Sequence, residues 1–231
     1  VDAVAIATPV SMHFEQAKTA LLGNKHVLIE KPMTNSVKRA EELIKTANEN
    51  KKVLMIDHTF EYAPAVNKIK EIVENVELGK ILTIDMIRVN LGLFQKDINV
   101  IWDLAPHDIS ILLFLLKKMP VSVKAEGMGY IQKSIADDAH LTLKFPEEIM
   151  VHMHVSWLDP LKIRKVTIVG NKKMLVYDDT EQSDKVKIYD KGVALEKNNV
   201  PKDKYYDTWE DFKLVYRSGE IHAPKIENQE P

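Results

Sequence analysis

The first 57 residues alternate short continuous apolar runs with helical periods: VDAVAIATP, MHFEQAKTALLGN, HVLIEKP, SVKRAEELIKTANENK and KVLMID. Runs that are apolar on both faces need cover on both, and amphipathic helices between them supply it. The pattern therefore predicts β-α-β-α-β, a parallel sheet with right-handed crossovers. Gly23 and Asn24 stand where the first helix should stop. Ligands of such sheets collect beyond the carboxyl ends of the strands, which here are Thr8-Pro9, Glu30-Lys31-Pro32 and Asp57-His58. A lysine at such an end points into the ligand crevice, and Pro32 fixes the backbone behind it. The alternative for Lys31 is a solvated lysine neutralised by Glu30.

Beyond one more helix, over about residues 64–75, the pattern changes. GKILTIDMIRVNLG, VSVKAEGMGYI, DAHLTLKFP, IMVHMHVSWLD, IRKVTIVGNKKMLVYDD and KVKIYDKGV are six strand candidates, several alternating with period two. They predict an antiparallel or mixed sheet with one face covered. Among them lies one strong helix, PHDISILLFLLKK (106–118), apolar nearly all round, with Pro106 suited to its first position. Residues 205–219 read as a short helix, and 222–231 as an extended stop.

The bulk numbers exclude more than they assign. At 231 residues and 45% hydrophobic content the chain can bury one large or two modest cores. Lys plus Arg is 32 against 34 for Asp plus Glu, so a net charge of -2 gives no footprint for nucleic acid or an anionic membrane. With no cysteine, disulfides, thiolate-bound zinc, iron-sulfur clusters and a cysteine nucleophile are all excluded. The longest apolar run, ISILLFLL, falls short of the roughly 20 residues that span a bilayer. The expected setting is the cytoplasm.

Two further clusters could carry chemistry. In VIWDLAPHDIS, His107 and Asp108 fall in the first turn of the predicted helix, whose positive dipole end disfavours imidazolium and keeps His107 able to accept a proton. Asp103 precedes that helix by a turn's worth of chain and could orient His107 or a substrate hydroxyl, with Trp102 as a flat wall. The alternative is a satisfied core histidine and an Asp108 that only stabilises the helix start. His152 and His154 share a strand face and, with His140, suggest zinc, but no further ligand stands at sensible spacing, so a sheet-surface histidine pair is expected and no metal. GMGYIQ lies between strands with no helix after it, and no G-x-G-x-x-G occurs.

Together these segments resemble the Gfo/Idh/MocA family of nicotinamide-dependent oxidoreductases. VDAVAIATPVSMHFEQAKTALLGNKHVLIEKPMT is similar to the second half of that family's Rossmann domain, and GKILTIDMIRVNLG, IWDLAPHDISIL and SWLDPLKIRKVTIVGNKKMLVYDD to its second domain. The resemblance implies an α/β fold. The C-terminal half of a Rossmann parallel sheet (1–58) would be followed by an α+β domain (59–231) with a large open mixed or antiparallel sheet. It implies Lys31 and His107 as the catalytic pair with Asp103 as their polar partner. Thr8, Pro9, His13, Glu30, Lys31 and Pro32 would line the nicotinamide end of NAD or NADP, with His58 and Trp102 near the reacting centre. Arg88, Asn90, Lys162 and Arg164 become candidate substrate contacts. Val10 departs from the family, which often carries a polar residue there.

The family's glycine-rich first half-domain is absent here and the C-terminus stops early, so the sequence is expected to be a fragment cut at both ends. Cofactor binding by it alone is expected to be poor. The implied reaction moves a hydride between nicotinamide and a secondary alcohol or ketone of a sugar, sugar nucleotide or cyclitol. The DLAPHD and SWLDP segments are most similar to members that oxidise nucleotide-linked amino sugars or their uronates at C3. Two alternatives stay open: a non-catalytic oligomerising scaffold, or an imine or enal reductase on the same frame. The expected partners are a sugar-type small molecule and, through the uncovered sheet, further copies in a homodimer or homotetramer.

Overall fold

The computed structural model describes residues 1–195 and 212–226. Strands β1 (Ala3–Ile6), β2 (His26–Glu30) and β3 (Leu54–Asp57) form a parallel sheet in sequential order, with helices α1 (Val10–Leu22) and α2 (Val37–Glu49) as crossovers. Ile6, Val27 and Ile29 bury with Phe14, Ala17 and Leu21 of α1 and Leu43 and Ala47 of α2. At the end of α1, Asn24 rather than Gly23 takes the left-handed conformation (φ 64°), and its N–H donates to Leu21 O.

A 3-10 turn (Thr59–Tyr62) and helix α3 (Pro64–Glu74) lead into the larger sheet. Its strands are β4 (Ile81–Leu91), β5 (Ser122–Met128), β6 (Asp138–Lys144), β7 (Met150–Ser156), β8 (Leu158–Gly170), β9 (Met174–Asp178), β10 (Val186–Leu195) and β11 (Phe212–His222), in the spatial order β11-β10-β9-β8-β4-β7-β6-β5. Every pairing is antiparallel except β4 with β7. A parallel neighbour cannot be reached through a hairpin, and the excursion through helix α4 (Val100–Leu116), β5 and β6 supplies the crossover.

One face of this sheet is covered. Ile84, Met86, Val151, Met153, Val155, Val166 and Ile168 pack under Val66, Ile69 and Ile72 of α3 and Ala105, Ile111, Leu112 and Leu115 of α4. The alternate positions on the other face, among them Thr83, Asp85, Ile87, His140, Thr142, His152, His154, Lys165 and Thr167, are exposed or half-buried.

Two local expectations are corrected. Helix α4 starts at Val100, six residues before Pro106: Asn99 Oδ1 accepts from Trp102 N (3.1 Å) as a cap, and Pro106 lies inside the helix. The proline leaves the Trp102 carbonyl without its usual intrahelical donor, and the apolar residues around it keep the helix packed regardless. Asp103 is therefore within the first turn, and His107 and Asp108 are well inside the helix. The second correction lies within 205–219, expected to be helical: Phe212–His222 is a strand antiparallel to β10, consistent with Phe, Leu and Tyr at alternate sequence positions, while 205–211 lie outside the described residues. Among the described residues no helix is long and apolar enough to cross a membrane.

Candidate active site

Lys31 leaves the carboxyl end of β2 and reaches α4. Its Nζ donates to Asp103 O (2.8 Å) and Asp103 Oδ1 (3.0 Å). The other carboxylate oxygen, Oδ2, accepts from Trp157 Nε1 (3.0 Å), an indole that is 1% exposed and meets Phe94 edge-on. Asp103 is thus held from two sides, by a strand end of the small sheet and by the residue after β7 of the large one.

His107 follows Asp103 by four positions and so shares its face of α4. Its ring meets Phe60 edge-on at 5.2 Å, and its Nδ1 is buried with no partner among the described residues. Burial, and after it the positive charges of Lys31, Arg88 and Arg164, push its pKa down to about 3. The imidazole is therefore neutral. The cause is desolvation and nearby cations, and the helix-start dipole expected from the sequence is not available at this depth in α4.

Beneath this pair lies a buried fork. Arg88 donates from Nε (2.9 Å) and a terminal nitrogen (2.6 Å) to Asp108 Oδ1, both residues being almost fully buried, and the guanidinium also lies 4.6 Å from the Phe60 ring centroid. Burial pushes the Asp108 carboxyl up, and the guanidinium opposes it. Phe60, from the turn after β3, is clasped between Arg88 and His107.

The other sequence candidates are placed as follows. His13 is 1% exposed, with Nδ1 3.0 Å from Pro32 O and Nε2 2.7 Å from Thr8 O, so it ties together the ends of β1 and β2. Thr8 donates to Gln16 Oε1 (2.7 Å), Pro9 caps α1, and Glu30 Oε2 accepts from Lys31 N (3.1 Å). The Lys31–Pro32 bond is cis, and Pro32 is buried. His58 and Trp102 line a recess of about 660 Å³ with Ile101, Pro106, Ile109 and Leu113. Asn90 is half-buried on β4, Lys162 is exposed on β8, and Arg164 donates to Asp179 Oδ2 (3.2 Å). The structure gathers Lys31, Asp103 and His107 with Arg88 behind them, and leaves Lys162 outside.

Trp157, Phe60 and Asp108 join the site although the residue-level reading gave them no role in it. Trp157 was visible as the aromatic of SWLDP, but its partner depends on where β7 ends relative to α4.

Residues 1–58 match the oxidoreductase family with the NAD-binding Rossmann fold, and residues 66–176 match the Gfo/Idh/MocA C-terminal domain. The chain belongs to the Gfo/Idh/MocA family of oxidoreductases. The family members it resembles include UDP-N-acetylglucosamine 3-dehydrogenase of Acidithiobacillus ferrooxidans, 37% identical over 134 residues, a match covering 57% of this chain and 41% of that one. A solved structure of that enzyme superposes with a TM-score of 0.70 at 30% identity, covering 82% of this chain and 61% of the other. An inositol dehydrogenase homologue from Azotobacter vinelandii, solved with NADH and myo-inositol, has a TM-score of 0.74 at 17% identity and covers 96% of this chain and 58% of its own; it bears on the fold alone. The chain thus spans between 41% and 61% of the length of these Gfo/Idh/MocA relatives.

Proposed function

We propose that the cleft between β2 and α4 carries out NAD(P)-dependent oxidation of a secondary alcohol, or the reverse reduction of a ketone, on a sugar, sugar nucleotide or cyclitol. The observation that carries this reading is the junction of Lys31 with Asp103, one helical turn from a neutral His107.

The residues at the carboxyl edge of the small sheet suit a nicotinamide. His13 fixes the loops after β1 and β2, and His58, just past the end of β3, lines the apolar recess and keeps a buried Nδ1 without a partner among the described residues. Bound there, the nicotinamide would supply the acceptor or donor of the hydride. Everything else falls to this chain. Lys31 would donate to the reacting oxygen and stabilise the negative charge that develops on it. His107 would take the hydroxyl proton: burial and the cations around it make it a weak base in the resting state, and the hydroxyl between it and Lys31 turns strongly acidic as its carbon gives up the hydride, which supplies the driving force for the transfer. Asp103 would keep Lys31 aimed at that oxygen.

Among substrate classes, the likeness to UDP-N-acetylglucosamine 3-dehydrogenase favours a nucleotide-linked amino sugar or its uronate oxidised at C3. The open face of the large sheet supports a homodimer or homotetramer joined through that face.

The test uses the full-length protein. NADH and NADPH titrations followed by tryptophan quenching, then turnover on a panel of nucleotide sugars, sugars and inositols, should show saturable cofactor binding and turnover that Lys31→Met removes. Cofactor binding with turnover unaffected by Lys31→Met, or no saturable signal, would overturn the reading.

A further inference from the structure

His140 on β6 and His154 on β7 are direct cross-strand partners on the open face, and their rings stack 4.1 Å apart at 7°. Two positions before His140, on the same face of β6, stands Asp138. Its Oδ2 lies 2.9 Å from His154 Nε2, and its Oδ1 lies 3.9 Å from His140 Nε2, beyond hydrogen-bond reach. One ligand atom from each of the three lies within 4.8 Å of the others. We propose that Asp138, His140 and His154 form a binding site for Zn²⁺ or a neighbouring first-row divalent ion, separate from the Lys31 cleft.

The donor chemistry selects the class. Two imidazoles and one carboxylate are nitrogen-rich, intermediate donors that suit zinc, nickel, cobalt and copper, whereas magnesium and calcium want oxygen shells. Zinc–ligand distances are about 2.0–2.2 Å, so the three donors must draw somewhat closer than they stand. His140, 68% exposed in the single chain, is the side chain that must swing, while Asp138 and His154, each 28% exposed, form the fixed part. Besides His154, Ser156, which is 2% exposed, gives Asp138 a side-chain hydrogen bond. A ligand carboxylate oriented by a buried hydroxyl is the kind of outer support that metal sites carry. His152 and Asp85 share the surrounding concavity of about 430 Å³ but stand outside the three-donor set; His152 faces Thr142 Oγ1. Met153 and Val155, the β7 residues flanking His154, are buried on the opposite face, so the sheet itself separates this site from α4.

The experiment is calorimetric titration of the untagged full chain with Zn²⁺ and, separately, Mg²⁺, with His140→Gln, His154→Gln, Asp138→Asn and His152→Gln. One Zn²⁺ per chain is expected, without change in sedimentation, and with a rise in unfolding temperature. Loss of any of the three donors should weaken binding at least about tenfold, the scale on which even supporting residues around a metal act, while His152→Gln should change it little. His140→Gln removes an exposed ring and should leave the fold intact, so its result stands whatever the other variants do. Absence of saturable Zn²⁺ binding, equal affinity in His140→Gln, binding abolished by His152→Gln, binding only on association of copies, or Mg²⁺ bound as well as Zn²⁺ would each overturn the proposal.

Discussion

Lys31 Nζ donates twice to Asp103, at 2.8 Å to its carbonyl and 3.0 Å to its carboxylate, although 72 positions separate the two residues. Both carboxylate oxygens are acceptors here, Oδ1 toward Lys31 and Oδ2 toward Trp157 Nε1. Asparagine offers only one acceptor and one donor in the same shape, so either orientation of the amide in Asp103→Asn sets an N–H against another donor. The variant should lose about 1–3 kcal/mol of stability, the cost of leaving a buried polar group unsatisfied. Turnover of the full-length protein should fall with it. Urea denaturation and steady-state kinetics check this; unchanged values in both would remove Asp103 from its place between the two donors.

Trp157→Phe keeps most of the ring volume and the edge contact with Phe94 but removes the donor that holds Asp103 Oδ2. The expected loss is again about 1–3 kcal/mol. Turnover should drop more than KM rises, because Trp157, only 1% exposed, would act on Lys31 through Asp103. In an Asp103→Asn background the stability effect should shrink, giving a coupling of about 0.5–3 kcal/mol in the double-mutant cycle. Additive losses would mean that Trp157 serves packing alone.

His107 gives stability a pH dependence with a definite sign. Its pKa is pushed from the ordinary 6.5 to about 3 in the folded protein, chiefly by burial. Between those values the unfolded chain binds the proton and the folded chain does not. Its contribution is therefore fully present above about 6.5 and is lost progressively as pH falls toward 3. His107→Asn removes that component, so the variant should lose less stability than the parent between pH 7 and pH 5. Urea denaturation at the two pH values measures it, and equal losses would show that His107 is not the neutral buried group described. In the full-length protein the same variant should lower turnover while cofactor binding stays near its parent value.

The parallel half of the fold was legible in the sequence because apolar strand runs alternate with amphipathic helices, and the lysine at the end of HVLIEK falls at a strand terminus by that logic alone; the cover expected on both faces is present on one, where Ile6, Val27 and Ile29 meet α1 and α2, while Leu28 and Met55 on the other face are exposed. Asp103 and His107 were legible as a spacing of four. The environment that makes His107 neutral was not, because Pro106 stands for a helix start in a sequence and here occupies a helix interior. The actual cause needs Arg88 of β4 and Phe60 of the turn after β3 brought beneath α4, which only the tertiary structure does. The closeness of Asp138 to the two histidines was not legible, for a related reason. Its distance to His154 is set by the register of β6 on β7, and no spacing along the chain records that register.

The Arg88–Asp108 fork separates stability from basicity. Both partners are nearly fully buried, so removing one leaves an uncompensated group; Asp108→Leu or Arg88→Met alone should cost about 3–5 kcal/mol. Replacing both at once removes the buried pair along with its desolvation cost. The double variant should recover most of that loss, as buried ion pairs replaced by apolar residues of similar volume commonly do. It should not recover the environment of His107. Arg88 is one of the cations that push the imidazole down, and without it the folded-state pKa of His107 rises toward its ordinary value. A smaller gap between folded and unfolded values means less stability lost on acidification, and since the folded-state pKa moves up from about 3, the double variant should show a shallower decline than the parent between pH 5 and pH 3. Urea denaturation at both pH values, with histidine ring shifts followed by NMR through the same range, reads the two effects separately. A double variant as unstable as the single ones would show that the fork is needed for packing in its own right, and an unaltered His107 titration would show that Arg88 does not act on the imidazole.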